Sequence, residues 1–354
     1  VKMKVILTTV GASLITNAMQ ALNKRKEELT DSILQDYISN TPPERASAET
    51  NSLCRLLDDE CKLIFLYSHT PEGQLCADVH SRYYKKQGYV TECREIPDLT
   101  YTESRFKMWG LRSLVATLVE LIRKERSKGN EVQINATGGF KAEIAYATLV
   151  GLLFNVRVYY MHELFRDIIE LPPVPVTWDY SMLVEYEDFF AWLHEEVPEQ
   201  HEVKKRMPAI PAFIGFFLCE EDGLCYLSPA GEAFYEAYRE RLFQASAVPL
   251  HFSGIARRKY NAMEESERRE FRQLLTRLCV PEIRWAKSGQ VSNSDCMVYP
   301  RGNRRERIFY YVKDDKIYVC DLACHGKDYE RLLGKGVWQR KYNDFASVTP
   351  GELA

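Results

Sequence analysis

Residues 3–10, MKVILTTV, form a nearly continuous apolar run. A strand with one wet face alternates apolar and polar side chains, whereas a strand covered on both faces does not. The run therefore predicts a central strand with helices packed above and below it. Comparable runs follow at 62–68, 89–96, 131–136 and 156–161. Helical patterns separate them at 16–39, 47–59, 72–87, 103–127 and 141–153. Strands and helices in alternation predict an open, mostly parallel α/β sheet. Residues 166–171 predict a closing hairpin strand, antiparallel at the edge.

Such sheets bind ligands beyond the carboxyl ends of their strands. Two loops there carry suitable chemistry. One is Thr8-Thr9-Val10-Gly11-Ala12-Ser13; the other is Asn135-Ala136-Thr137-Gly138-Gly139-Phe140-Lys141. Each leads into a helix, where free backbone N–H groups and the helix dipole favour an anion. The glycines admit close approach, and Lys141 adds a charge. The candidate ligand-binding residues are Thr9, Gly11, Ala12, Ser13, Asn135, Thr137, Gly138, Gly139, Phe140 and Lys141. Neither GxxxxGK[ST] nor GxGxxG occurs, so the common nucleotide fingerprints do not apply. The plainer alternative is a tight turn into a helix with Lys141 in solvent.

At 354 residues, with 45% hydrophobic and 27% charged side chains, the chain has room for two or three domains. Its net charge of −3 is unevenly spread. Residues 255–344 hold roughly 20 Lys/Arg against about 13 Asp/Glu, a basic segment on an acidic body, as suits nucleic-acid contact. The ten cysteines include no CxxC pair, so the expectation is reduced thiols in a cytoplasmic protein and no metal site. No leader and no membrane-spanning run is read.

Three segments are expected: 1–172, 173–246 and 247–354. The proline-rich stretch 171–176 is a stiff linker. The middle segment reads as an amphipathic helix at 181–195, strands at 210–219 and 224–227 around an acidic turn, and a helix opened by Ser228-Pro229. That order resembles a winged-helix module. Its acidic wing opposes phosphate, which favours docking over duplex binding. Two short motifs are decoys. Arg157 and His162 fit RxxxxH but fall on a strand, where they face opposite sides. Glu202-Val203-Lys204 fits ExK but lies in a charged stretch that does not read as a strand.

The terminal segment reads as a strand at 248–253, helices over 256–278, and strands at 283–286, 296–299, 307–313 and 316–323. An Asp314-Asp315 turn and a short helix at 329–333 complete it. Alternation places Arg307, Phe309, Tyr311 and Lys313 on one face, expected to be open, basic and aromatic. Cleaving RNA through its own 2′-hydroxyl needs proton movers and positive charge on the phosphorane-like state. In the second resemblance given next, Arg301 and Arg307 fall where that charge is needed, and His325, Lys327 and Tyr329 are the proton-moving candidates.

Two resemblances sharpen this reading. TTVGAS and NATGGFK, after a first and a central strand, resemble the CARF domain, the CRISPR-associated Rossmann fold, over roughly 3–172. That likeness implies a homodimer that binds cyclic oligoadenylate, such as cyclic tetra-adenylate, across its two-fold axis. It also implies that Ser13 and Lys141 stand where some members keep residues that cleave the ligand. RERIFYYVKDDKIYVCDLACHGKDYERLL resembles the RelE family of toxin ribonucleases over about 248–334. That likeness implies an α+β domain that cuts messenger RNA in the ribosome without a cofactor, with Arg301, Arg307, His325, Lys327 and Tyr329 in the catalytic places. The implied whole is an effector of type III CRISPR systems. The alternatives are a ligand-sensing winged-helix transcriptional regulator and a ring nuclease.

Overall fold

The computed structural model of the protein describes residues 2–353 apart from 59, 101, 104, 105, 163–166, 175, 176, 208, 209, 293, 303 and 325; at 108 and 327 it describes the backbone alone. The chain forms two compact units, Val1–Pro175 with Asp188–Ala237, and Val176–Glu187 with Tyr238–Ala354. These units do not follow the three expected segments in chain order, because the middle stretch is divided between them. Expected linker positions 175 and 176 lie outside the described residues.

The first unit is built on β1 (Lys4–Val10), β2 (Cys61–Ser68), β3 (Val90–Ile96), β4 (Glu131–Asn135), β5 (Arg157–Tyr160) and β6 (Ile169–Leu171), in the order β3-β2-β1-β4-β5-β6. The first five strands run parallel and β6 is antiparallel to β5. This is the α/β sheet that the apolar runs predict; residue 166, the expected start of the hairpin strand, lies outside the described residues. In β1, Val5, Ile6, Leu7, Thr8 and Thr9 are all fully buried, so both faces are covered. Ile6 and Val10 pack with Leu14, Leu34, Ile38 and Phe65 on one side of the sheet. Each such aliphatic side chain contributes about 2 kcal/mol by leaving water.

Helix boundaries depart from the sequence pattern at several points. The single helix expected over 16–39 is two helices, Ser13–Leu22 and Asp31–Asn40. The first ends on Asn23 in the left-handed region, and Thr30 caps the second. The strand expected over 210–219 is a 3-10 turn, Ala212–Phe217, with only β7 (Leu218–Glu221) pairing to β8 (Leu224–Leu227). Glu202-Val203-Lys204 lies on the helix Gln200–Arg206.

The second unit contains a mixed sheet of β9 (Leu250–Phe252), β10 (Gly289–Gln290), β11 (Met297–Tyr299), β12 (Glu306–Lys313), β13 (Lys316–Cys324) and β14 (Ala346–Val348), ordered β10-β11-β12-β13-β9-β14. Helices Gly254–Ala262, Glu265–Cys279 and Pro281–Lys287 follow β9. The last of these replaces the strand expected at 283–286, since Pro281 at the first helical turn favours a helix start. Asp314 and Asp315 both have positive φ, as a two-residue hairpin turn requires.

An ion cluster ties β2 and β3 to the helix Leu111–Ser127. Lys62 lies 2.8 Å from Glu92 and 3.0 Å from the buried Glu125, which also accepts from Lys128 and Asn130. Burial opposes ionisation of Glu125, but the hydrogen bonds from Lys128, Asn130 and Lys62 outweigh it and hold the carboxyl at about 2. A carboxyl depressed in the folded state stabilises it above the unfolded value and loses that contribution as pH falls toward the folded one. Acid titration of stability from about pH 4.5 to about 2 should therefore show a loss that Glu125→Gln flattens, measured by melting temperature against pH.

Candidate ligand-binding and catalytic sites

The two loops singled out in the sequence come together at the carboxyl ends of β1 and β4. Thr9 Oγ1 donates to the Gly138 carbonyl at 2.6 Å. A Cβ at Gly11 would meet the Gly139 nitrogen at 2.6 Å, so the loops are in backbone contact. Gly139 has φ of 96°, which a side chain would strain. Among the described residues, no protein acceptor takes the N–H groups of Gly138 or Gly139. Gly139 is exposed and Gly138 buried, and both stand in the wall of a cavity beside the junction.

The first loop is organised by a residue that the sequence reading passed over. Glu49, fully buried on the helix Ala48–Leu53, accepts from Gly11 N at 2.7 Å through Oε1 and from Ser13 Oγ at 2.9 Å through Oε2. Ser13 Oγ in turn accepts from Ala48 N at 2.9 Å. Behind it, His80 is fully buried, with Nδ1 2.7 Å from the Cys76 carbonyl and Nε2 2.7 Å from Ser47 Oγ. A protein carboxylate thus takes the Gly11 N–H that was expected to meet a ligand. A Cβ at Gly138 would collide with Glu49 Oε1, which explains the glycine there.

Two cavities flank this junction. A cleft of about 990 Å³ is lined by Ser13, Asn17, Arg45, Asn51, Thr137 and Lys141 among others. Lys141 and Arg45 are both exposed, and Arg45 is a second cation that the sequence did not single out. A smaller cavity of about 510 Å³ has Gly139, Phe140, Glu143, Ile15 and Met19 in its wall. Glu143 caps its own helix, accepting from Phe140 N at 3.2 Å, and burial pushes its carboxyl up to about 7 against that hydrogen bond. Here the folded state holds a proton that the unfolded chain releases near 4.5, so stability falls as pH rises toward 7, with the full cost above it. Glu143→Gln should melt at a higher temperature than wild type at pH 8 and at the same temperature at pH 4, read by calorimetry.

Asn135 is fully buried, donating from Nδ2 to Ser52 Oγ at 2.8 Å. Thr137 bridges Asn135 Oδ1 at 2.7 Å and Met161 N at 3.1 Å. Thr9, Gly11, Ala12, Ser13 and the whole of 135–141 therefore share one junction, but Thr9 and Asn135 build it from beneath and line neither of these two cavities.

Elsewhere in the first unit, His194, Glu232 and Glu236 converge with ligand atoms within 4.8 Å of one another. Arg112 meets Glu232 at 2.9 Å and Arg123 meets Glu236 at 2.6 Å. Burial works against ionisation of Glu232, yet the His194 hydrogen bond and the Arg112 charge hold its carboxyl below the usual range. Two guanidinium groups already balance both carboxylates. This donor set suits an ion-pair network, and a divalent cation would meet two positive charges there.

In the second unit the strand face expected to be open is covered. Arg307 is only 3% exposed, and Phe309 is fully buried. The helix Lys327–Lys335 brings Tyr329, Leu332 and Leu333 over Phe309, while Tyr342 and Phe345 pack on the same cluster. The Arg307 guanidinium donates to the carbonyls of Gly302, Arg304 and Glu306, and stands 5.7 Å from the Tyr329 ring. Its donors hold the 302–306 loop and do not project outward. A register shift between Phe309 and Tyr310 breaks the simple alternation, and exposure returns only at Val312 and Lys313. Arg301, Arg304 and Arg305 are exposed on the loop that Arg307 organises. Arg304 and Arg305 reach Glu270 and Glu267 at 3.2 and 3.8 Å. Tyr329 is half-buried; Lys327 begins its helix, with its side chain outside the description, and His325 lies outside the described residues. The site thus joins Arg307 to Tyr329 and leaves Arg301 at the surface. Arg307→Ala should lower stability by about 2 kcal/mol, because the loop carbonyls of Gly302, Arg304 and Glu306 lose a charged donor, while Arg301→Ala should leave the melting temperature unchanged.

Residues 44–174 match a family model described as CRISPR-associated protein (Cas_APE2256). The match takes in Arg45, Glu49 and the whole Asn135–Lys141 loop but not Ser13. The chain therefore carries a segment similar to a CRISPR-associated family. Among solved structures, the crystal structure of protein VC1899 from Vibrio cholerae is similar over 91% of this chain and 77% of its own, at 10% identity and a TM-score of 0.28, a likeness that carries no argument. Among the described residues, no helix is long and apolar enough to cross a membrane.

Proposed function

We propose that the chain is an effector of CRISPR defence in which the first unit binds cyclic oligoadenylate and the second cleaves messenger RNA on the ribosome. The observation that carries the first half is the junction of the two loops. Unengaged N–H groups at Gly138 and Gly139, with Lys141 and Arg45 at the adjoining cleft, make an anion site at the strand ends of an α/β sheet. The family match over 44–174 supplies the CRISPR context. A ring with two-fold symmetry is matched by a two-fold dimer, so each subunit would contribute one such site.

For the second half, the element order of strand, helices and antiparallel hairpin supports the ribonuclease reading, as does the exposed arginine loop. Arg301 is the exposed charge that meets phosphate, and Arg307 acts through it as a positioning residue. Tyr329, Lys327 and His325 remain the proton-moving candidates. Ring binding shifts the protein toward its cutting-competent state to the extent that the ring binds that state more tightly.

The test is a translating extract with and without cyclic tetra-adenylate, followed by mapping of messenger ends. Ring-stimulated cleavage is expected, reduced about 100-fold by Arg301→Ala, as for loss of one transition-state donor. Naked RNA should stay intact. Equal cleavage with and without the ring would refute the proposal. A second reading, that the first unit also cuts its ligand, is favoured by the contact between the Ser13 hydroxyl and the buried Glu49 carboxylate. It expects wild type to linearise the ring and Lys141→Ala to leave it closed.

A further inference from the structure

The two hydroxyl groups on the cleft share an unusual polarity. A hydroxyl has one proton to donate and two lone pairs to accept with. The Ser13 hydroxyl gives its proton to Glu49 Oε2 at 2.9 Å and takes the Ala48 N–H at 2.9 Å. The Thr137 hydroxyl gives its proton to Asn135 Oδ1 at 2.7 Å and takes the Met161 N–H at 3.1 Å. Each is left with one lone pair and no proton, and both residues line the same cleft.

Buried partners fix these directions. Glu49 is fully buried and accepts through both carboxyl oxygens, Oε1 from Gly11 N and Oε2 from Ser13 Oγ. The Asn135 amide cannot flip, because Ser52 Oγ already donates to the Ala48 carbonyl at 3.0 Å. Ser52 must therefore accept the Asn135 NH2, and Oδ1 must face Thr137. Ser13 and Thr137 can offer nothing to a phosphate oxygen, which needs a donor. Gly138 and Gly139, whose N–H groups take no protein acceptor among the described residues, line the adjoining cavity that Ser13 and Thr137 also border, and can supply that need.

We propose that Ser13 and Thr137 read the ribose 2′-hydroxyl of the bound nucleotide by accepting its proton in hydrogen bonds, and that Glu49 and Asn135 are the positioning residues that set this polarity. The inference rests on the ring-binding reading above. Of the donors on a linked adenine ribonucleotide, the 2′-hydroxyl lies beside the phosphate that the glycine N–H groups would hold, whereas the base amine lies at the far end of the base. The cleft would therefore discriminate ribose from sugars that lack a donor at that position.

Calorimetric titration of the full chain with cyclic tetra-adenylate and with its 2′-fluoro counterpart tests this. Fluorine keeps the ribose pucker but cannot donate. Wild type is expected to prefer the natural ring by about tenfold, the worth of one or two such bonds. Glu49→Gln keeps the shape but presents an NH2 to Ser13, which turns the hydroxyl proton toward the cleft; the preference should shrink toward one. Ser13→Ala and Thr137→Val should each lower the preference and carry the test if Glu49→Gln fails to fold. A purely structural role for Glu49 would weaken both ligands equally and leave the ratio unchanged, which overturns the proposal. Equal wild-type affinity for the two rings overturns it while leaving the ring-binding reading intact. Binding of neither ring overturns both.

Discussion

The junction of the first unit depends on one buried carboxylate. Glu49 accepts from the Gly11 N–H and the Ser13 hydroxyl, with the buried His80 ring nitrogen 3.7 Å from Oε2; among the described residues no lysine or arginine pairs with it. Burying a carboxylate costs several kcal/mol unless hydrogen bonds replace its water, so the loop that supplies them is bound to it in return. The same residue dictates the glycine at 138, and Thr9 closes the contact from the opposite strand. The cleft residues inherit their positions from this network.

The consequence is a division of labour that residue types alone would not suggest. Hydroxyls at an anion site are usually counted as donors. Here their protons face inward; the cleft itself is lined by two cations, Lys141 and Arg45, and the glycine N–H groups stand at the neighbouring cavity. In the second unit the same separation recurs in another form. Arg307, the most conspicuous charge at the head of the hairpin, faces inward to three carbonyls and shapes a loop from which other arginines project.

Much of the first unit was legible in the sequence because a doubly covered parallel strand leaves an unambiguous apolar run, and because Gly-Gly before a helix has few structural meanings. Asn135–Lys141 and Gly11–Ser13 were singled out on that basis, and the two loops do come together. Glu49 was not, since an acidic residue in the first turn of a Ser-capped helix reads as a surface feature; nothing local says that this helix turns inward. Glu143 escaped for the same reason, as a capping residue whose burial only the neighbouring helix and loop decide. At Arg307 alternation failed because a covering helix and a register shift are long-range events. The strand expected at 283–286 failed because Pro281 and the preceding helix outweigh its β-branched and aromatic content.

The account stands or falls on the loop junction being a ring-nucleotide site shared by two subunits. Titration of the full chain with cyclic tetra-adenylate, with sedimentation to count the subunits, tests this most directly. One ring per two chains is the expected result, with affinity reduced in Lys141→Ala. Absence of binding by any cyclic oligoadenylate, or one ring on each separate monomer, would contradict it.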